Sequence, residues 1–111
     1  MIVRNRTTGQ VLGSQVVRAE TFGRRLLGLM FRPRLGQGEG LWIEPCNAVH
    51  THFMRFPIDV LFLDRQGQVV RVVPAMAPWK HTPLVKGAAA VLELPAGGAG
   101  TTVAGDQVET A

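Results

Sequence analysis

Cys46, His50 and His52 stand within seven positions of one another in a chain with a single cysteine and three histidines. Thiolate and imidazole are donors that favour zinc or copper over magnesium or calcium. If residues 46–52 run extended, all three share a parity and project from one face. Same-face neighbours then lie about 6.6 Å apart, close to the reach of two imidazoles around one ion. The spacing matches no common structural zinc pattern, and a fourth ligand is not evident. The plainer reading, a buried cysteine beside two hydrogen-bonded histidines, is preferred, so no metal is expected and this trio is the one candidate for it.

Asp59 is the second candidate. It interrupts the apolar run Ile58–Leu63, and a carboxylate among apolar side chains must be neutralised or hydrogen-bonded. Arg55, His50 or His52 could serve as partner, giving a general base or a ligand anchor. The structural alternative has Asp59 accept hydrogen bonds from neighbouring backbone and fix the turn after Pro57, and it is favoured. Nucleophilic catalysis finds less support. Cys46 beside His50 or His52 would need a lowered thiol pKa and an aligned base, and the only serine, Ser14, lies in an early turn. The expected ligand surface therefore centres on His50, Met54, Arg55 and Asp59, with Arg25 and Arg32 nearby.

These residues need elements to hold them. Ile58–Leu63 reads as a strand buried on both faces, and Asp64-Arg65-Gln66-Gly67 as the turn of a hairpin returning through Gln68–Val73. Ile2–Arg6 and Val11–Leu12 flank the turn-like Thr7–Gln10 as a second hairpin. Gln15–Ala19, Leu41–Ile43 and Ala88–Leu94 are further strands, with short final strands at Thr101–Val103 and Gln107–Glu109. Pro74, Pro78 and Pro83 imply a loop over residues 74–87. Phe22, Leu26, Leu29 and Met30 form one apolar stripe at helical spacing, with Thr21 as N-cap and Pro33 as stop. The expected fold is α+β and mainly β: a small antiparallel sheet closing toward a barrel, with one covering helix over about residues 22–32.

Length and composition fit a single domain over residues 1–111. A lone cysteine excludes an internal disulfide framework and suits a reducing compartment. No basic-then-apolar leader and no run of membrane-spanning length is seen, so a cytoplasmic location is expected. Charge is uneven: residues 1–34 carry seven arginines against one glutamate, while residues 87–111 carry three acids and no base. Arg24, Arg25, Arg32 and Arg34 could neutralise phosphates, and Trp79 beside Lys80 and His81 is the one aromatic placed to stack on bases, although a solvated arginine face looks the same and is favoured. Gly36–Gly40 lacks the Lys-Ser/Thr ending of a phosphate-binding loop.

Three blocks, RRLLGLMFR over residues 24–32, HTHFMRFPIDVLFLD over residues 50–64, and VLELPAG over residues 91–97 with Gly105-Asp106, resemble the domain-of-unknown-function 192 family. The similarity runs from about Val16 to Val108. Many relatives read tryptophan-methionine-lysine-asparagine-threonine before the central proline. Phe53 and Phe56 place this chain with a histidine-containing branch, and His52 lies outside the pattern. The resemblance implies a small, mainly β body with one helix and supplies no reaction or cofactor. The leading expectation is a non-catalytic binding or accessory domain for an unknown small ligand or protein. The alternatives are a metal-binding protein or hydrolytic enzyme using His50 and Asp59, and a nucleic-acid accessory protein using the arginine-rich helix.

Overall fold

Ile58–Leu63 forms the strand β5, and every one of its six residues is buried. Such a strand needs a neighbour on each edge and cover on both faces. The computed structural model describes residues 1–19 and 34–111 and supplies both. The strands are β1 (Val3–Asn5), β2 (Val11–Gly13), β3 (Gln15–Ala19), β4 (Glu39–Ile43), β5, β6 (Val69–Met76), β7 (Ala90–Pro95) and β8 (Val108–Thr110). They form a five-stranded sheet in the order β3-β4-β7-β5-β6 and a three-stranded sheet in the order β2-β1-β8.

Alternation along β5 and β7 sends side chains to two separate cores. Leu61, Leu63, Leu92 and Leu94 meet Val3, Leu12 and Val108 of the smaller sheet. Ile58, Val60, Phe62 and Val91 face the other way, where Leu35, Val49, Met54 and Val85 cover them from outside the strands. Burying a side chain of this size contributes about 1.5–3 kcal/mol, so the two layers together fix the register of β5.

The expectation of an α+β body closing toward a barrel is corrected. Among the described residues there are strands and no helix, and both sheets stay open. β3 and β6 are the two free edges of the larger sheet and do not meet. Apolar alternation specifies which face of a strand is buried, but not which edges pair, so closure was not encoded in it. The helix expected over residues 22–32, with Arg24, Arg25 and Arg32, lies outside the described residues. The sheet is also not wholly antiparallel, because β3 and β4 run parallel from Gln15↔Glu39 to Ala19↔Ile43. Parallel neighbours need a long crossover, and residues 20–38 provide that length.

Two further boundaries move. β6 continues through Pro74 to Met76 because it is an edge strand, where a missing N–H costs no ladder bond. Thr101–Val103 is not a strand. It lies in a turn region where Val103 N–H donates to Asp106 at 3.1 Å and Thr102 is buried. The hairpin turn over Asp64–Gly67 forms as expected: the Asp64 carboxylate accepts the Gln66 and Gln68 amides, both at 2.9 Å, and Gly67 takes the left-handed conformation at φ 81°.

Candidate functional site

Asp59 points into the core shared with the smaller sheet and is 3% exposed. Opposite it, β6 is bulged: Ile58 pairs with Met76 and Val60 with Val73, leaving Pro74 and Ala75 across from one residue. Pro74 has no N–H to give, and the Ala75 N–H donates to the Asp59 carboxylate at 2.8 Å. The second carboxylate oxygen accepts Gly97 N–H at 3.1 Å and Ala99 N–H at 2.9 Å. All three donors are backbone, and among the described residues no imidazole or guanidinium is paired with this acid. Asp59 joins an edge-strand bulge to the turn after β7; its donors are backbone amides, as the structural reading expected, but they are distant in sequence and the turn it fixes is not the one after Pro57.

His50 and His52 belong to a different feature. Residues 47–51 and 79–85 lie antiparallel as a small ribbon: Thr51 N–H donates to Lys80 O at 2.8 Å, Trp79 N–H to Thr51 O at 3.0 Å, and Thr82 N–H to Val49 O at 2.9 Å. His50 faces His81 across it. Thr51, fully buried, anchors the ribbon to the body. Its hydroxyl donates to Ala77 O at 2.6 Å and accepts Lys80 N–H at 3.0 Å.

Alternate positions on the ribbon present rings. The His50 and His52 centroids are 4.9 Å apart, His52 stacks on Trp79 at 5.9 Å, and Phe53 leans on Trp79 at 4.7 Å. Phe53 and Trp79 are each 58% exposed. Both also sit at positive φ, 65° and 64°, where a bulky side chain costs about 1–2 kcal/mol. Backbone held in this region persists only where the surroundings over-determine it, as at ligand clamps and switch segments. Arg55, Lys80 and His81 are exposed beside these rings in the chain.

The expected surface is thus redrawn. His50 and Arg55 remain candidates; Met54 is 7% exposed and packs in the core, and Asp59 is buried. Arg25 and Arg32 lie outside the described residues. Cys46 donates its thiol to Ala48 O at 3.1 Å and lines an open depression of about 730 Å³ with Glu44, Asp64, Arg65 and Ala89. Among the described residues no three His, Cys, Asp or Glu side chains group so as to hold a metal, and Cys46 with His50 and His52 does not do so. Also among the described residues, no helix is long and apolar enough to cross a membrane.

With this geometry in place, comparison with known proteins adds a family. The model of domain of unknown function 192, described as "Uncharacterized ACR", matches residues 3–110. The chain belongs to this family. A UPF0127 protein of Thermococcus sibiricus is 35% identical over 98 residues, covering 84% of this chain and 62% of its own length. The chain therefore spans less than two thirds of that relative. A UPF0127 protein of Pyrococcus furiosus is 38% identical over 96 residues, covering 84% of this chain and 82% of its own. Among solved structures, a protein of unknown function from Novosphingobium aromaticivorans superposes with a TM-score of 0.80 at 28% identity, over 98% of this chain and 82% of that one. Family membership fixes the relatives without assigning an activity.

Several polar groups went unread in the sequence. Asn5 is fully buried; its amide donates to Thr102 at 2.9 Å and Asp106 at 3.0 Å, while its carbonyl oxygen accepts the Thr7 and Thr8 amides. Glu93 is fully buried on β7 between Leu41 and Val60. Its position inside an apolar strand is the same signal that singled out Asp59. Trp79 stands out in the sequence beside Lys80 and His81, but nothing local announces that it packs on His52.

Proposed function

We propose that this chain is a small non-catalytic binding domain whose contact surface is the ribbon face formed by His50, His52, Phe53, Trp79 and His81. One observation carries the reading: two large aromatic side chains are kept in solvent on strained backbone, by a ribbon that a fully buried threonine ties to the core. A chain selected only for folding would have no use for that arrangement, because glycine at either position relieves the strain and a polar side chain lowers the exposed apolar area. The acid that could have made the site catalytic is engaged by three backbone amides. The single cysteine supports a reducing, cytoplasmic setting.

Amide NMR spectra recorded against representative ligand classes (nucleotides, oligonucleotides, acidic peptides and anionic vesicles) test the reading. Shifts should concentrate on residues 50–55 and 79–81 and on the Trp79 indole. Shifts that gather instead around Cys46, Asp64 and Ala89, with the ribbon silent, would assign binding to the open depression and remove it.

A further inference from the structure

The ribbon face combines π-surfaces with cations, and the two segments that build it contribute no acidic side chain. Residues 45–58 and 65–92 contain no Asp or Glu, while Arg55, Lys80 and His81 are exposed within them. The whole chain carries a formal net charge of +4. A partner that suits such a face has flat rings to lay on Trp79 and Phe53 and regularly placed anions to meet Arg55 and Lys80. The face is also open: with both aromatics more than half exposed, it cannot enclose a ligand as small-molecule sites do. A single nucleotide would leave most of its own surface wet here. A polymer can gather affinity from several such shallow contacts.

We propose that the partner of this surface is single-stranded nucleic acid, with bases stacked on Trp79 and Phe53 and backbone phosphates held by Lys80 and Arg55. The inference rests on the binding reading given above and names its partner class. Stacking on exposed aromatics needs unpaired bases, since a duplex buries its base faces, so single strands are favoured over duplex. Trp79 is in ring contact with both His52 and Phe53, which restricts the indole before a base arrives. Preorganisation of this kind lowers the ordering cost of binding.

The test is fluorescence anisotropy with labelled dT12 and rU12, the same dT12 as a duplex with dA12, and unlabelled vesicles of anionic lipid, all at low salt. Single strands should bind in about the micromolar to 100 micromolar range expected of sequence-independent contacts. Affinity should fall with salt at a log–log slope of about −1.4, for two phosphates neutralised by Arg55 and Lys80 at about 0.7 each. Trp79→Ala and Phe53→Ala should each weaken binding about tenfold, and Lys80→Glu should weaken it further at low salt than at high. Because Trp42 is buried, its fluorescence in Trp79→Ala reports that the variant is folded; Trp79→Phe should retain most of the binding.

The inference is overturned by absent binding of single strands, by equal or better binding of duplex, or by affinity that ignores Trp79 and Phe53. These failures are separable from failure of the binding reading. If vesicles or an acidic peptide quench Trp79 while single strands do not bind, the ribbon is still a contact surface and only the partner class falls. If single strands bind and shift amides away from residues 50–55 and 79–81, both fall.

Discussion

Asp59 and His52 lie seven positions apart in one dense block of sequence, yet the structure gives them opposite circumstances. Asp59 is inside, with both carboxylate oxygens on backbone amides from β6 and from the turn after β7. His52 is half-buried at the surface, stacked on an indole that is itself 58% exposed. The difference separates two uses of polar groups. Where burial is complete, a polar side chain persists by satisfying backbone donors that would otherwise be orphaned. Where aromatic groups stay wet at positive φ, folding alone does not account for them. On the proposed reading it is the surface, and not the buried acid, that meets a partner.

The comparison breaks most visibly at Asp59. Replacing it with Ala leaves three backbone N–H groups without their acceptor, that of Ala99 in a buried bond and those of Ala75 and Gly97 in partly buried ones; a buried orphan costs about 1–3 kcal/mol. The expected loss is roughly 3 kcal/mol or more, which lowers the Tm of a domain this size by about 10 °C or more. Asp59→Asn keeps the shape but turns one acceptor into a donor facing a donor, and should lose nearly as much. Urea titration of both variants checks this. If either is as stable as the parent, the hydrogen bonds described here do not hold the bulge, and the acid is free for another role.

How far these circumstances could be read from sequence depends on the range of the interactions involved. β5 was legible because six successive apolar or interrupted-apolar positions bounded by Pro57 and Asp64 admit few alternatives. The Asp64 turn was legible because its bonds reach only two and four residues along the chain. The backbone role of Asp59 was anticipated in kind, but its donors lie 16, 38 and 40 positions away, so only folding identifies them. Pro74 misled because prolines mark breaks unless a strand is known to be an edge. The ring cluster was invisible for the same reason: Thr51 and Lys80 are 29 positions apart, and no local pattern announces that two loops will pair. Sheet closure failed as an expectation because edges are decided by topology rather than by periodicity.

Thr51 connects the two regions and sharpens the comparison. Thr51→Val preserves side-chain volume and the ribbon's backbone bonds, but leaves Ala77 O and Lys80 N–H without the hydroxyl. A cost of about 1.5–2 kcal/mol is expected, below that at Asp59 because fewer groups are stranded. Hydrogen exchange should quicken at residues 77–81 and stay unchanged in β5 and β7. Uniform loss of protection across the sheet would mean that the ribbon is part of the core rather than an element carried by it.

The smallest effect is expected at Phe53, and its smallness is informative. Glycine there removes the left-handed penalty of about 1–2 kcal/mol carried by a bulky residue at φ 65°. It also removes the Phe53–Trp79 contact and adds chain entropy to the unfolded state, together about 1–2 kcal/mol in the other direction. The terms nearly cancel, so Phe53→Gly should leave Tm within about 3 °C of the parent. Phe53→Ala keeps the backbone penalty while losing the same ring contact, and should be the less stable of the two by about 1 kcal/mol. A Phe53→Gly variant markedly less stable than the parent would show that the ring is needed by the fold, and one less stable than Phe53→Ala would show that the backbone at φ 65° carries no strain; either result removes the physical basis for assigning the exposed ring to a partner.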